Sequence, residues 1–518
     1  MNGSQRRLDL LLVNPGGARQ IYQDLGRQLA AKESPIWVGL IAEYARRKGL
    51  SVDVLDANAF DLGPTDVAMH VAHVRPLLTA VVVYGHNPNA STHVMPGAGA
   101  ICTELAQHDP EGKVLLLGGH VAALPERTLS EESADFVCGG EGPITVVELV
   151  AALRAGGSAS DLGRVRGLVW HDGSATRRNA AAPIVTRLAD EMPGMAYDLL
   201  PMSLYRAHNW HCFGGIERQP YASIYTTLGC PFTCTFCCIQ APFKSGEAAA
   251  GLDPARNSYR RFDPAHVVAQ ITRLVDEHGV RNFKFADELF VLDKAHVRAI
   301  CDGLIALDAG LNIWAYARVD TCRDPELLTR MRRAGVRWLA IGIESASERV
   351  RAGVEKGYRP ETLMRAIDGV RESGIHVLGN YIFGLPDDDH ATMRETLDFA
   401  KALNTEYANF FSAMAYPGSQ LYRDALREGW RLPETWNGYS QHSRTCLPLP
   451  TKHLSGAEVL QFRDAAFHEY FDRDEYRARM RETFGPAAVE EVRQMLAEPL
   501  ARDHVPTVVG SPLASVSS

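Results

Sequence analysis

The sequence predicts an α/β protein built from two successive domains, and three observations carry that prediction. Short apolar runs alternate with amphipathic helical stretches from Leu8 to about Leu153, the pattern of a doubly wound, Rossmann-like parallel sheet. A second alternation of six strand-helix units runs from Tyr221 to about Tyr422, the spacing of an open, partial TIM-like (β/α)6 barrel. Elsewhere the periodicity fades. Residues 156–210 read as a hairpin and linker, residues 426–505 as a small, charged, mainly helical C-terminal region, and 506–518 as a polar tail without order. The expected domains are therefore 1–155 and 211–425.

In the first domain, "LDLLLVNPGG" is an apolar run that ends in a Pro-Gly-Gly turn. "IWVGLIAEYARRKG" puts Val38, Ile41, Ala42 and Ala45 at helical spacing and stops at Gly49. "SVDVLDAN", "LTAVVVYGHN" and "GKVLLLGGHV" read as further strands, and "ITVVELVAAL" as the closing helix. Ligands of such sheets sit at the carboxyl ends of the strands. Those ends carry Asn14 before Gly16 and Gly17, then Gly85-His86-Asn87, Gly118-Gly119-His120, and Gly139-Gly140-Glu141-Gly142. Any one of these turns serves equally well as a plain strand-to-helix connection. Four on one edge point to a large flat ligand, which glycine lets the backbone approach closely.

The second domain opens with the strand "ASIYTTLG" and a helix started by Asp263-Pro264, with Val267, Val268, Ile271, Leu274 and Val275 facing inward. "NFKFADE", "NIWAYARVD", "VRWLAIGIES", "VLGNYIFGLP" and "ANFFSAMAYPG" supply the remaining strands. "YRAHNWHCFGG", just upstream, suits either a pocket lining or a linker packed on the barrel rim. A net charge of -8 provides no global basic field and disfavours a nucleic-acid partner. No apolar run approaches membrane-span length, and the N-terminus lacks a signal-peptide pattern. A cytoplasmic protein is expected. In that reducing setting, clustered cysteines imply metal or redox chemistry rather than disulfides.

Four of the ten cysteines fall in "TTLGCPFTCTFCCIQAPF", after the first strand of the second domain. Cys230, Cys234 and Cys237 stand as C-x3-C-x2-C. Four-iron clusters ordinarily take four thiolates, so three on one loop would leave an iron open to an exogenous ligand. Zinc is the rival, with Cys238, Cys212 or His211 as its fourth ligand. Cys238 reads as a buried small residue, because adjacent cysteines rarely ligate one cluster.

This motif, with Phe236 before the last cysteine, resembles the signature of the radical S-adenosylmethionine superfamily. The resemblance covers about Tyr221 to Tyr422. It implies a 4Fe–4S cluster on Cys230, Cys234 and Cys237, S-adenosylmethionine on the open iron, and a 5'-deoxyadenosyl radical made with one electron from flavodoxin or ferredoxin. It further implies that Glu288, or Asp287, meets the methionine amino group, and that Arg318 pairs with the methionine carboxylate. Glu344 would meet the ribose hydroxyls or the amino group, with Phe236 and Ile382 beside adenine. The glycines that often precede the Glu288 position are absent. Asn380 and Asp387 depart from the family's fifth-strand G-x-I-x-G-x-x-E. Tyr416, ending the sixth strand, is the candidate catalytic residue at the substrate mouth.

The first domain resembles the cobalamin-binding domain fused before many such enzymes, on "LLLVNPGG", "VLLLGGHVAALPERTL" and "ADFVCGGEGPITVVELV". The resemblance implies a corrin wall of Asn14, Gly85, His86, Gly118, Gly119, His120, Glu141 and Gly142. The D-x-H-x-x-G motif that supplies cobalt's lower histidine is missing, so base-off cobalamin is implied, with His86 and His120 as corrin-edge or turn residues. The function implied is C-methylation of a small-molecule substrate between the two domains, using two S-adenosylmethionine molecules per turnover. Cyclisation, rearrangement or epimerisation with the same cofactors is the alternative. A tRNA methylthiolase would carry a second cysteine triad in the first domain and a basic C-terminal module. Here Cys102 and Cys138 are isolated and the chain is acidic. A cobalamin carrier would have no use for an open-site cluster.

Overall fold

The computed structural model describes residues 7–17, 21–23 and 29–505. The first sheet contains β1 (Leu10–Asn14), β2 (Val52–Asp56), β3 (Leu78–Val82), β4 (Val114–Leu117), β5 (Phe136–Cys138), β6 (Leu168–Asp172) and β7 (Ala175–Arg178). Its order is 2-1-3-4-5-6-7, parallel through β5. Reversal of strand order between β1 and β3 opens a crevice at their carboxyl ends. Both faces of the sheet are covered by helices, which is why β1, β3 and β4 read as continuous apolar runs.

The β6–β7 hairpin changes the expected boundary. It is not part of a separate linker, because β6 pairs antiparallel with β5 and extends the first sheet. Val169 and Trp170 bury against that sheet. A local hairpin signal cannot show which edge a hairpin joins.

The second sheet runs β8 (Tyr221–Ile224), β11 (Asn282–Phe285), β12 (Asn312–Arg318), β13 (Val336–Glu344), β14 (His376–Phe383) and β15 (Tyr407–Ser412). All neighbours are parallel and follow sequence order, the partial barrel expected. Between β8 and β11, the ribbon of β9 (Thr227–Leu228) and β10 (Arg260–Arg261) brackets the cysteine loop.

An open barrel has two unpaired edges, and each is covered. Along β8, the backbone amide of Ser223 donates to the Ser34 hydroxyl of the first domain at 3.1 Å. Along β15, helices Gly456–Phe471, Asp474–Phe484 and Pro486–Ala497 form the C-terminal region. Arg463 there donates to the Phe410 carbonyl at 2.8 Å, and Tyr476 to the Glu406 carbonyl at 3.0 Å.

"YRAHNWHCFGG" closes the barrel at its amino-terminal end. The Trp210 ring lies 5.3 Å from each of Trp314 and Trp338, and 5.6 Å from Tyr407. It is a plug at the barrel's base, far from the strand ends that carry the cysteine loop. Among the described residues no helix is long and apolar enough to cross a membrane.

Candidate active site between the two sheets

The cysteine loop begins at Gly229, whose φ is +86° and whose added Cβ would lie 2.3 Å from the Ser258 carbonyl oxygen. Only glycine makes this entry. The loop backbone is then held from several sides. Gln240 donates to the Cys230 carbonyl at 2.6 Å, Asn257 to the Phe232 carbonyl at 2.9 Å, and the Leu421 amide to the Thr235 carbonyl at 2.8 Å. Cys230, Cys234 and Cys237 are partly accessible, and none of the ten cysteines forms a disulfide. Cys238 is buried, its thiol 3.3 Å from the Asn89 side-chain oxygen of the first domain. Among the described residues, no three His, Cys, Asp or Glu side chains converge as ligands of one metal ion.

The strand ends around the loop carry the other expected residues. Arg318 stacks its guanidinium 3.9 Å over Phe232 and bonds Asp320 at 3.1 Å. Glu344 sits at φ +64°, beside a register shift between β13 and β14. Its carboxylate meets Lys356 at 2.8 Å. Burial opposes the Lys356 charge, but Glu344 outweighs it and the ammonium pKa is raised. Phe236 and Ile382 pack on one apolar patch with Val350, Val354, Leu385 and Ala413.

Asp287, the alternative to Glu288, is already committed. It accepts from the Thr226 amide at 2.6 Å and the Thr227 amide at 2.9 Å, pinning β8 to β11. Glu288 instead lines a narrow cleft between the sheets. Burial pushes its carboxyl up to about 7. From the first domain Trp37, Tyr84, Asn87, Ser91 and Gly119 line the cleft. From the barrel come Tyr225, Gly229, Cys238 and Phe243.

On the first sheet Gly85, Gly118 and Gly142 are sterically required. At Gly118, φ is +149° and a Cβ would stand 2.1 Å from the Val83 carbonyl oxygen. Gly85 and Gly142 have φ of +70° and +113°. Asn14 donates to Asp56 at 2.7 Å.

Three side chains expected on the open edge turn elsewhere. His86 sits 3.4 Å from the Tyr22 hydroxyl, and its carbonyl accepts from Lys284 inside the barrel at 2.9 Å. His120 is buried, with Thr92 at 3.2 Å and Trp436 edge-on at 4.4 Å. Glu141 is buried and clamps Arg260 and the Val185 amide, each at 2.7 Å. Burial lowers the imidazole pKa of His86 to about 4 and of His120 to about 3. Tyr416 bridges the domains, its hydroxyl 3.2 Å from both the Tyr439 carbonyl and the His93 Nε2.

Sequence reasoning missed the polar node inside the barrel. Lys284, 1% exposed, meets Glu33 of the first domain at 2.9 Å. Glu33 also accepts from the Ser223 hydroxyl at 2.9 Å. Burial opposes its ionisation, but Lys284, His86 and His208 together hold its pKa below the usual carboxylate value. One lysine between two phenylalanines in "NFKF" was the available signal.

Residues 224–400 match the Radical SAM superfamily, and residues 22–150 match the B12 binding domain. The chain therefore joins a B12 binding domain to a Radical SAM domain. An uncharacterized methyltransferase of Pyrococcus horikoshii is 29% identical over 90% of this chain and 93% of its own. An anaerobic magnesium-protoporphyrin IX monomethyl ester cyclase of Rubrivivax gelatinosus is 26% identical, over 80% of this chain and 69% of its own. A cytidylyl-2-hydroxyethylphosphonate methyltransferase of Streptomyces wedmorensis is 24% identical, over 83% and 84%. The radical S-adenosylmethionine methyltransferase TsrM from Kitasatospora setae, solved with cobalamin and a [4Fe-4S] cluster, shares the fold. Its TM-score is 0.65 at 17% identity, covering 94% of this chain and 99% of that one. OxsB, with aqua-cobalamin and S-adenosylmethionine, has a TM-score of 0.67 at 16% identity, covering 94% and 70%.

The family's cofactors are a 4Fe–4S cluster, S-adenosylmethionine and cobalamin. The residues present fit them: Cys230, Cys234 and Cys237 are free, partly accessible thiols on a loop whose backbone is held in place, and the cleft beside that loop is lined by Gly229 from the barrel and by Asn87, Ser91 and Gly119 from the first domain.

Proposed function

We propose that this enzyme methylates a carbon of a small-molecule substrate held between the two sheets. The reading rests on one observation: the cysteine-loop edge of the barrel and the glycine-turn edge of the first sheet line the same cleft. When bound, the cofactors supply a 5'-deoxyadenosyl radical from one side and a methyl group on cobalt from the other.

The chain's residues hold, orient and exclude water. Cys230, Cys234 and Cys237 carry the cluster. Glu288 receives the methionine amino group, and Arg318, held flat by Phe232, receives the carboxylate. Glu344 is neutralised by Lys356 and faces the ribose, with Phe236 and Ile382 as an apolar seat for adenine. Asn14, Gly85, Gly118, Gly119 and Gly142 form the corrin wall, and Glu141 fixes that wall to the barrel through Arg260. His86 and His120 are occupied elsewhere, which supports cobalamin without a histidine below the cobalt. Tyr416 stands at the substrate mouth. A flavodoxin or ferredoxin supplies the electron.

Anaerobic, reconstituted protein given methyl-deuterated S-adenosylmethionine and candidate substrate pools should yield a labelled product alongside 5'-deoxyadenosine. Stoichiometric 5'-deoxyadenosine with an unlabelled, cyclised or rearranged product would refute methylation in favour of the chemistry named for the cyclase relative.

A further inference from the structure

Arg351 is a buried charge that none of the cofactor assignments uses. It is 1% exposed, on the short helix Glu348–Ala352. Desolvating a guanidinium is costly, yet among the described residues no carboxylate forms an ion pair with it. Its donors go to carbonyls instead: Nη1 to Ser345 at 2.7 Å and Ala346 at 2.6 Å, Nη2 to Tyr358 at 3.2 Å. The guanidinium also lies 4.1 Å from the centre of the Tyr358 ring. The Tyr358 hydroxyl in turn donates to the carbonyls of Ile343 at 2.7 Å and Ser345 at 3.1 Å. Arg351 and Tyr358 thus hold the backbone on both sides of Glu344. At φ +64°, Glu344 has a conformation that persists only where its surroundings fix it.

The same segment reaches the cysteine loop. The Lys356 amide donates to the Arg351 carbonyl at 3.0 Å, while its ammonium meets Glu344 at 2.8 Å. Just before it, the Glu355 carboxylate accepts from the Thr233 hydroxyl at 2.6 Å, and the Val354 carbonyl from the Thr235 amide at 3.3 Å. We propose that Arg351 is a positioning residue for S-adenosylmethionine, locking Glu344 and the cysteine loop into one frame without touching the ligand. This rests on the proposed meeting of Glu344 with the ribose. A planar guanidinium fixes several carbonyls at once, which a lysine ammonium does less well. Outer partners of metal ligands typically contribute about 10–100-fold in affinity, and the same logic applies to a carboxylate aimed by its backbone.

The test uses the full chain, anaerobically reconstituted with cluster and cobalamin, and equilibrium dialysis of S-adenosylmethionine normalised to iron content. Arg351→Met should raise Kd about ten-fold or more, and Arg351→Lys should recover part of that loss. In 5'-deoxyadenosine formation KM should rise with Kd, while kcat per loaded cluster stays within about two-fold of wild type. Should Arg351→Met fold poorly, Arg351→Lys and Tyr358→Phe make the same comparison, each raising Kd by about three-fold. A wild-type Kd in these variants would overturn the inference. So would loss of iron, thermal stability or kcat with Kd per cluster unchanged, which would leave Arg351 a role in folding alone. Glu344→Gln separates the two layers. Wild-type binding by that variant would overturn the ribose assignment itself, whereas weakened binding there and not in the Arg351 variants would overturn only the positioning role.

Discussion

Replacing Lys284 by Met should loosen the junction between the two domains more than any surface substitution. Lys284 is 1% exposed and its side chain meets Glu33, 7% exposed, at 2.9 Å. Its ammonium also serves the His86 carbonyl at 2.9 Å. Removing one partner strands a buried carboxylate, a change that typically costs about 3–5 kcal/mol. In a domain of this size each kcal/mol lowers the midpoint by about 2–4 °C, so a drop of roughly 6–20 °C is expected in the barrel's thermal transition. Circular dichroism of Lys284→Met, Glu33→Leu and the double variant forms the assay. The double variant should recover much of the loss, giving a coupling energy above about 2 kcal/mol. Additive single effects, or a Lys284→Met change below about 1 kcal/mol, would refute the reasoning, because surface pairs behave that way.

Three further outcomes follow from specific contacts. Gly229→Ala forces a Cβ to within 2.3 Å of the Ser258 carbonyl oxygen at φ +86°; iron content and cluster absorption after reconstitution should fall well below wild type. Cys234→Ala should lose that absorption whereas Cys238→Ala keeps it, since Cys238 is buried against Asn89; equal loss in both would refute the ligand assignment. Glu406 is buried, and although burial raises its pKa, Arg371 and Arg479 hold it below the ordinary value. Its stabilisation is therefore complete above the unfolded carboxylate pKa and is lost as pH falls through the lower folded value. Acid should detach the C-terminal helices first, and Glu406→Gln should flatten that acid dependence in a urea titration.

The two sheets were legible because β-strands buried on both faces read as apolar runs, and the cysteine spacing carries its chemistry within one loop. Glu288 was readable from its strand end, but its separation from Asp287 was not. Only the turn after β11 decides which carboxyl is spent on Thr226 and Thr227. Likewise His120 and Glu141 sit in turns that look open in sequence. The partners that bury them, Trp436 and Arg260, are distant along the chain. The β6–β7 hairpin was visible as a hairpin, while its pairing with β5 is a long-range register that no local pattern encodes. Trp37 looked like one apolar residue of a helix start, and its place in the cleft depends on docking the two domains.

That docking has a mechanical consequence. Within five consecutive residues, Glu33 enters the barrel interior, Ser34 caps the edge of β8, and Trp37 forms the cleft wall. Pro35 and Ile36 between them start the Ile36–Arg47 helix, whose buried face lies on the first sheet. The stretch works as a rigid spacer, with its anchor and its working surface on one short piece of chain. Any displacement of the first sheet against the barrel must carry the wall with it, so the two halves of the chamber share one alignment rather than two adjustable ones.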